Sequence, residues 1–247
     1  MNKSQIQNII SSLSFDFPYA VDDWMQHLYM ENHHCHKDFS NTVLADSPTP
    51  IVKYAERIKQ LGTKCLYSGE HGSQGNQFEV YECAEKNGLR YVHSAEVYWV
   101  KDRHTDDNAN CHMMIVATCA EGREDLNYIL SIANKDGYYY RPRIDLELLL
   151  SVKPENFIIT SACVAGWKYE DADVIWMKIA RHFGNNFFFE VQTHNTEPQK
   201  KLNAHIIDLA KRHNIQIICG LDSHFINPED SIKRDVILEY KKDTLRR

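Results

Sequence analysis

The chain has no basic surplus, no paired cysteines and no long apolar run, and each absence removes a class of function. With a formal charge of -6 over 247 residues, it cannot grip nucleic acid by bulk basicity, which needs clustered Lys and Arg to neutralise phosphate. Seven cysteines, at 35, 65, 83, 111, 119, 163 and 219, form no CxxC pair and no dense framework. A reduced, cytoplasmic protein is expected rather than a disulfide-stapled one. The opening MNKSQIQNIISSLSFDFPYA lacks a continuous apolar stretch of leader type. No segment approaches the roughly 20 apolar residues of a membrane span, so no membrane association is expected. Internal repeats, low-complexity tracts and domain linkers are also missing. What remains is ordinary soluble composition, 43% apolar and 25% charged, in a length that one α/β barrel can occupy.

Against that plain background two triplets stand out, His34-Cys35-His36 near the start and Asp222-Ser223-His224 near the end. In an extended strand, residues two apart point to the same face, so each triplet aims two metal-liking side chains one way and its middle residue the other. Imidazole and carboxylate suit zinc, manganese or iron alike. Only a fold that joins its first and last strands can make one site of both triplets, and a closed barrel does so.

The rest of the text alternates as such a barrel requires. Residues 1–30 read as an N-terminal extension whose Ile6, Ile9, Ile10 and Leu13 suit a short helix packed on the body, with the main domain over 31–247. Helices are expected at about 49–61, with Pro50 in the first turn and Gly62 as the stop, and at about 77–87, 122–133, 170–183 and 196–213. Strands are expected at Cys65–Ser68, Arg90–His93, Ala95–Val100, His112–Ala117, Phe157–Thr160, Phe187–Val191 and Ile215–Cys219. Repeated βα units imply parallel strands with helices outside.

Parallel α/β folds carry their chemistry at the carboxyl ends of strands. Those ends hold His34 and His36, Glu70-His71, Glu96, Ser161-Ala162-Cys163, Glu190 to His194, and Asp222 and His224. His112 falls at a strand start and breaks the pattern. Taken in order, the pieces resemble the PHP (polymerase and histidinol phosphatase) family, and within it the PHP domain of bacterial DNA polymerase III α subunits. The carriers are His34-Cys35-His36 with Phe39-Ser40, Glu70-His71-Gly72, Glu96-Val97-Tyr98, the run Gly137 to Asp145, Ser161-Ala162-Cys163 and Asp222-Ser223-His224.

The resemblance implies a distorted (βα)7 TIM-like barrel holding three divalent ions (Zn, Mn or Fe). Its ligands would be His34, His36, Asp46, His71, Glu96, His112, Cys163, Asp222 and His224, with Glu96 bridging two ions. Three features depart from the family pattern: Glu70 stands where the family has Asp, the stretch from Ser40 to Asp46 is longer, and Asn32 stands where the family has its first His. By location, Glu70 and His194 are candidates for proton transfer, and Arg141 and Arg143 for substrate phosphate. The expected activity is a metal-dependent phosphoesterase on nucleic acid, a 3'-5' exonuclease of the polymerase-PHP type. Left open are a phosphatase or phosphodiesterase on a small metabolite or nucleotide, and a non-catalytic, metal-stapled module associated with a DNA polymerase. Polymerisation itself is not expected of a chain with room for little beyond the barrel.

Overall fold

The computed structural model describes residues 31–244, so the expected N-terminal extension lies outside the described residues. Helix α1 (Ile51–Leu61) buries Tyr54 and Ala55; Pro50 is its N-cap and Gly62 ends it at φ 73°. That left-handed stop is cheap only for glycine. Helix α2 (Gln77–Asn87) ends the same way at Gly88. Between and after them run strands β1 (Cys65–Tyr67), β2 (Glu70–His71), β3 (Arg90–Val92), β4 (Ser94–Trp99) and β5 (Cys111–Ala117). Helix α3 (Ala120–Lys135), hairpin strands β6 (Tyr138–Tyr139) and β7 (Arg141–Ile144), and the short α4 (Leu146–Leu149) follow. The chain then continues through β8 (Phe157–Thr160), α5 (Ala172–Phe183), β9 (Phe187–Gln192), α6 (Glu197–His213), β10 (Gln216–Gly220) and α7 (Ser231–Thr244).

The strands form a ring. β10 pairs with β9, β9 with β8, β8 with β5, β5 with β4, and β4 with β2, while β3 pairs with β1. Closure comes where Cys35 bridges Ser223. There the His36 amide donates to the Ser223 carbonyl at 2.8 Å and the Ser223 amide to the His34 carbonyl at 3.2 Å. On the other side of that first stave, the Lys37 amide donates to the Glu70 carboxylate at 3.2 Å. The fold is a distorted α/β barrel whose first and last staves meet.

One stave runs backwards. β5 is antiparallel to both β4 and β8, which corrects the expectation of parallel strands throughout: no helix separates β4 from β5, so the chain turns directly and returns. The reversal places the start of β5 beside the ends of its neighbours, with His112 opposite Tyr98. The strand-start position of His112 is thereby explained.

Alternation along the strands divides helix-facing from barrel-facing residues. Ala95, Val97 and Trp99, then Cys111, Met113 and Ile115, then Phe187, Phe189 and Val191 enter the larger core with α3, α5 and α6. The intervening positions, Ser94, Glu96 and Tyr98, then His112, then Glu190 and Gln192, face the other way. A smaller core under α1 and α2 takes Cys35 together with Tyr54, Leu66 and Val80. Cys35 therefore points away from its histidine neighbours, as the triplet spacing predicts.

The β6–β7 hairpin, α4 and α7 were not anticipated. Of the apolar residues of α7, Ile232, Val236 and Tyr240 are exposed and Ile237 and Leu238 only half-buried, so its pattern offers no fully buried face to read. The hairpin turns on Tyr140 at φ 58°, a left-handed conformation that costs a bulky residue on the order of 1–3 kcal/mol. Its root is fixed by Arg143, which is buried and donates from Nε to Gly137 O, from Nη1 to Thr105 O and Asp107 O, and from Nη2 to Arg103 O. This corrects the expectation that Arg143 contacts substrate phosphate, because its donors are committed to backbone carbonyls of the 101–110 loop and of Gly137. Arg143→Lys keeps the charge but cannot span those acceptors. It is expected to lower stability by about 1.5–3 kcal/mol in urea unfolding; a loss below about 0.5 kcal/mol would rule out the clamp.

Candidate metal centre

The barrel-facing residues converge at one end. Three groups of donor atoms each lie within 4.8 Å of one another: His36, His71 and His224; His34, His36 and Asp222; and Glu96, His112 and Cys163. Glu96 is their hub. One of its oxygens is 3.2 Å from His34 Nε2 and 2.8 Å from His112 Nδ1; the other is 3.3 Å from His36 Nε2 and 2.8 Å from His71 Nδ1. Asp46 joins through His71 Nε2 at 3.4 Å and His224 Nε2 at 3.1 Å. Asp222 Oδ1 lies 3.2 Å from His34 Nε2 and 3.3 Å from His36 Nε2. Cys163 Sγ is 3.5 Å from His112 Nδ1. All nine expected ligands thus surround one space.

Asp46 arrives there despite its longer preceding stretch because Asn41 Oδ1 accepts from the amides of both Asp46 and Ser47. Ser47 Oγ then donates to the carbonyls of His36 and His224, tying the first triplet to the last. Two ligand-bearing turns also carry unusual backbone: Ala162, just before Cys163, has φ 50°, and Asp222 has φ 45°. Strain of this kind gathers at functional sites.

Behind the donors sits a layer that orients them. His34 Nδ1 is 2.7 Å from Glu190 Oε1, which leaves Nε2 aimed at Glu96 and Asp222. Glu190 also receives His33 Nε2 at 3.1 Å and hydrogen bonds from Thr160 and Gln192. His36 Nδ1 is 3.2 Å from Ser40 Oγ, and Ser40 donates to Glu70. A carboxylate or hydroxyl on one ring nitrogen fixes which nitrogen presents its lone pair.

Several front atoms nonetheless lack partners. His34 Nε2, His36 Nε2, both ring nitrogens of His71, Glu96 Oε2 and Asp46 Oδ1 are buried without a hydrogen bond. Some are within 2.8–3.4 Å of an opposite charge, but off the hydrogen-bonding line. Donors that converge on a common point do not line up with one another. Buried atoms in this condition are costly unless something else satisfies them. A set of imidazole, carboxylate and thiol donors fits divalent cations of the zinc, manganese and iron kind.

Electrostatics follows from this packing. Burial and the adjacent His71 push His36 down to about 3. Burial also works to lower His71, but Glu96 and Asp46 prevail and raise it to about 9. Burial opposes ionisation of Glu96 and Glu190 too, yet His112 and His34 hold Glu96, and His34 and His33 hold Glu190, well below the usual carboxylate range.

A family model described as PHP domain matches residues 32–194. This chain belongs to the PHP family. Its PHP relatives include the DNA polymerase III subunit alpha of Aquifex aeolicus, 28% identical over 83% of this chain and 19% of that protein. The same subunit of Borreliella burgdorferi is also 28% identical, with the same coverage. The chain spans about a fifth of the length of these curated relatives. A solved amidohydrolase structure from Chromobacterium violaceum, 13% identical, aligns over 83% of this chain and 96% of that one at a TM-score of 0.49. Asp222 and His224 lie beyond the PHP match, yet the closure of the barrel brings them to the other ligands.

Two residues expected to transfer protons in this PHP site are placed otherwise. Glu70 and His71 are adjacent on β2 and face opposite ways, so Glu70 turns from the cluster. It pairs with the buried Lys37 Nζ at 3.0 Å and also receives Ser40 and Asn76. His194 is exposed on the loop after β9 and joins none of the three donor groups. Arg141, half-buried, donates to the Tyr140 carbonyl at 3.1 Å. Glu190, by contrast, is singled out by the sequence only as one of the strand-end residues, with no ligand or proton-transfer role. Beyond that position its signal is a lone charge following three phenylalanines in FFFEVQ.

Glu190→Gln should weaken zinc or manganese uptake about 10–100-fold by calorimetric titration, the usual effect of losing a carboxylate that orients a histidine ligand. A pH test follows from His71. A histidine raised in the folded state stabilises fully below its unfolded value near 6.5, and that contribution is lost as pH rises through about 9. Chelator-stripped protein should therefore lose stability in urea between about pH 6.5 and 9; His71→Asn should flatten this slope.

Proposed function

We propose that this PHP chain is a metal-dependent phosphoesterase acting on nucleic acid, a 3'-5' exonuclease of the polymerase-PHP type. What carries the reading is Glu96, a buried carboxylate touched by four histidines whose facing nitrogens are largely unpaired. Three ions, of zinc, manganese or iron, would be held by His34, His36 and Asp222; by His71, His224 and Asp46; and by His112 and Cys163, with Glu96 a donor to the first and the third. When bound, such ions supply Lewis acidity towards a phosphate and a water acidified towards neutrality.

The chain's own groups have separate tasks. Glu190 fixes the tautomer of His34, and Ser40, backed by Glu70 and Lys37, fixes that of His36. The Tyr98 ring sits 5.9 Å from that of His71 and 5.1 Å from that of His112, and its hydroxyl is buried without a partner. Burial, then Glu96, push Tyr98 up, so it keeps its proton and can donate to a phosphate oxygen. Arg141 supplies a guanidinium at the rim for the same anion. Seven unbridged cysteines are in keeping with a reducing, cytoplasmic setting. The likeness to polymerase subunits supports association with a DNA polymerase.

The decisive assay offers the full chain, loaded with manganese or zinc, 5'-labelled single-stranded DNA, a nucleotide panel and a generic phosphate monoester. Stepwise shortening from the 3' end is expected, and His36→Ala and Asp222→Asn should each abolish it. Release of phosphate from small esters alone would transfer the activity to a metabolite phosphatase. Stoichiometric metal without any cleavage would end the catalytic reading.

A further inference from the structure

The β6–β7 hairpin carries exposed aromatic surface beside the metal centre. Tyr138 and Tyr140 are 62% and 68% exposed, while Tyr139 between them lies under the Arg143 guanidinium, 5.2 Å from ring centre to charge. Tyr139 and Tyr140 meet edge to face at 4.7 Å. The hairpin is short and tight, with Tyr138 opposite Pro142 and Tyr139 opposite Arg141. Its root is held by the four carbonyls that Arg143 engages, and by β7 pairing with β4 at Tyr98 and Trp99.

The hairpin is also close to the ligands. Pro142 lies against Gly72, where an added Cβ would come within 2.9 Å of its ring. Gly72 directly follows His71, and Tyr98, the register partner of Arg143, packs between His71 and His112. Tyr140 holds a left-handed backbone that glycine or asparagine would adopt with less strain. An exposed ring kept at a strained turn contributes nothing to the core, so its value must lie in what it meets outside.

We propose that Tyr138 and Tyr140 form a stacking platform that holds the unpaired bases of a strand entering the neighbouring centre. The proposal rests on the nucleic-acid reading above and narrows it. Aromatic rings bind any base by its face, and duplex DNA hides those faces. With a net charge of -6, phosphate attraction cannot supply the affinity, so a strand held here needs contacts of another kind, and stacking needs no net charge. Arg141, next to the turn, fits the backbone phosphate of a base so placed.

The test uses the full, metal-loaded chain and a fluorescein-labelled oligothymidylate whose 3' linkages are phosphorothioates, read by anisotropy. Tyr138→Ala with Tyr140→Ala should raise Kd about tenfold or more, and the paired Phe substitutions should restore binding to within about twofold. An abasic strand of equal length should bind the unaltered protein as weakly as the alanine variant binds thymidylate. Tyr140→Gly separates folding from binding: it should unfold at no lower temperature yet bind more weakly. Undiminished binding by the alanine pair, equal affinity for the abasic strand, or equal affinity for duplex overturns the platform. So does a result in which the substitutions abolish self-association in sedimentation but leave strand binding intact. Because the strand is not cleaved, a protein that hydrolyses nothing but shows tyrosine-dependent binding loses the hydrolase reading alone.

Discussion

The structure depends on a carboxylate that four imidazoles share. Glu96 stands on β4, a strand buried along its whole length; His34, His36, His71 and His112 reach it directly, and Asp46, Asp222 and His224 join through those histidines. A buried charge so placed is tolerable only with opposite charge around it. The histidines provide part of that, but three of the four, His34, His36 and His71, present it a nitrogen that makes no hydrogen bond. The protein's own donors are therefore close-packed without satisfying one another. Such a cluster is a set of donors waiting for cations, and binding them contributes to folding as well as to chemistry.

The orienting layer makes this tension durable. Glu190 and the Lys37–Glu70–Ser40 chain hold His34 and His36 from behind, so neither ring can rotate to relieve the crowding in front. The buried Lys37–Glu70 pair also gives a reason for Glu at a position where the family pattern has Asp. The longer side chain bonds Lys37, Ser40 and Asn76 at once. It acts as a support behind the histidines.

Much of this was legible in the text because it obeys short periods. Residues two apart share a face, which located His34 with His36 and Asp222 with His224 and sent Cys35 to the opposite core. Glycine stops set the ends of α1 and α2. What could not be read depended on contacts across long distances. The direction of β5 is invisible in its composition, so His112 looked misplaced until its pairing was known. The buried guanidinium of Arg143 looks like any basic residue until the 101–110 loop closes on it. Glu70 was misjudged because its position at a strand end was weighed without asking which face it occupied. The role of Glu190, named only for its place at a strand end, is not legible because its partners, His33 and His34, are more than 150 residues away in the chain.

The meeting of the first and last staves sets a timetable. Asn32 donates to Ser223 across 191 residues, and Ser47 to the His224 carbonyl across 177. During synthesis from the N-terminus, His34 and His36 emerge early and must wait, uncoordinated, until nearly the whole barrel has been made. Contacts of such separation are slow to form, because the intervening loop must be ordered before they repay it. An emerging chain therefore cannot assemble the complete centre, and the site comes into being only with the final stave.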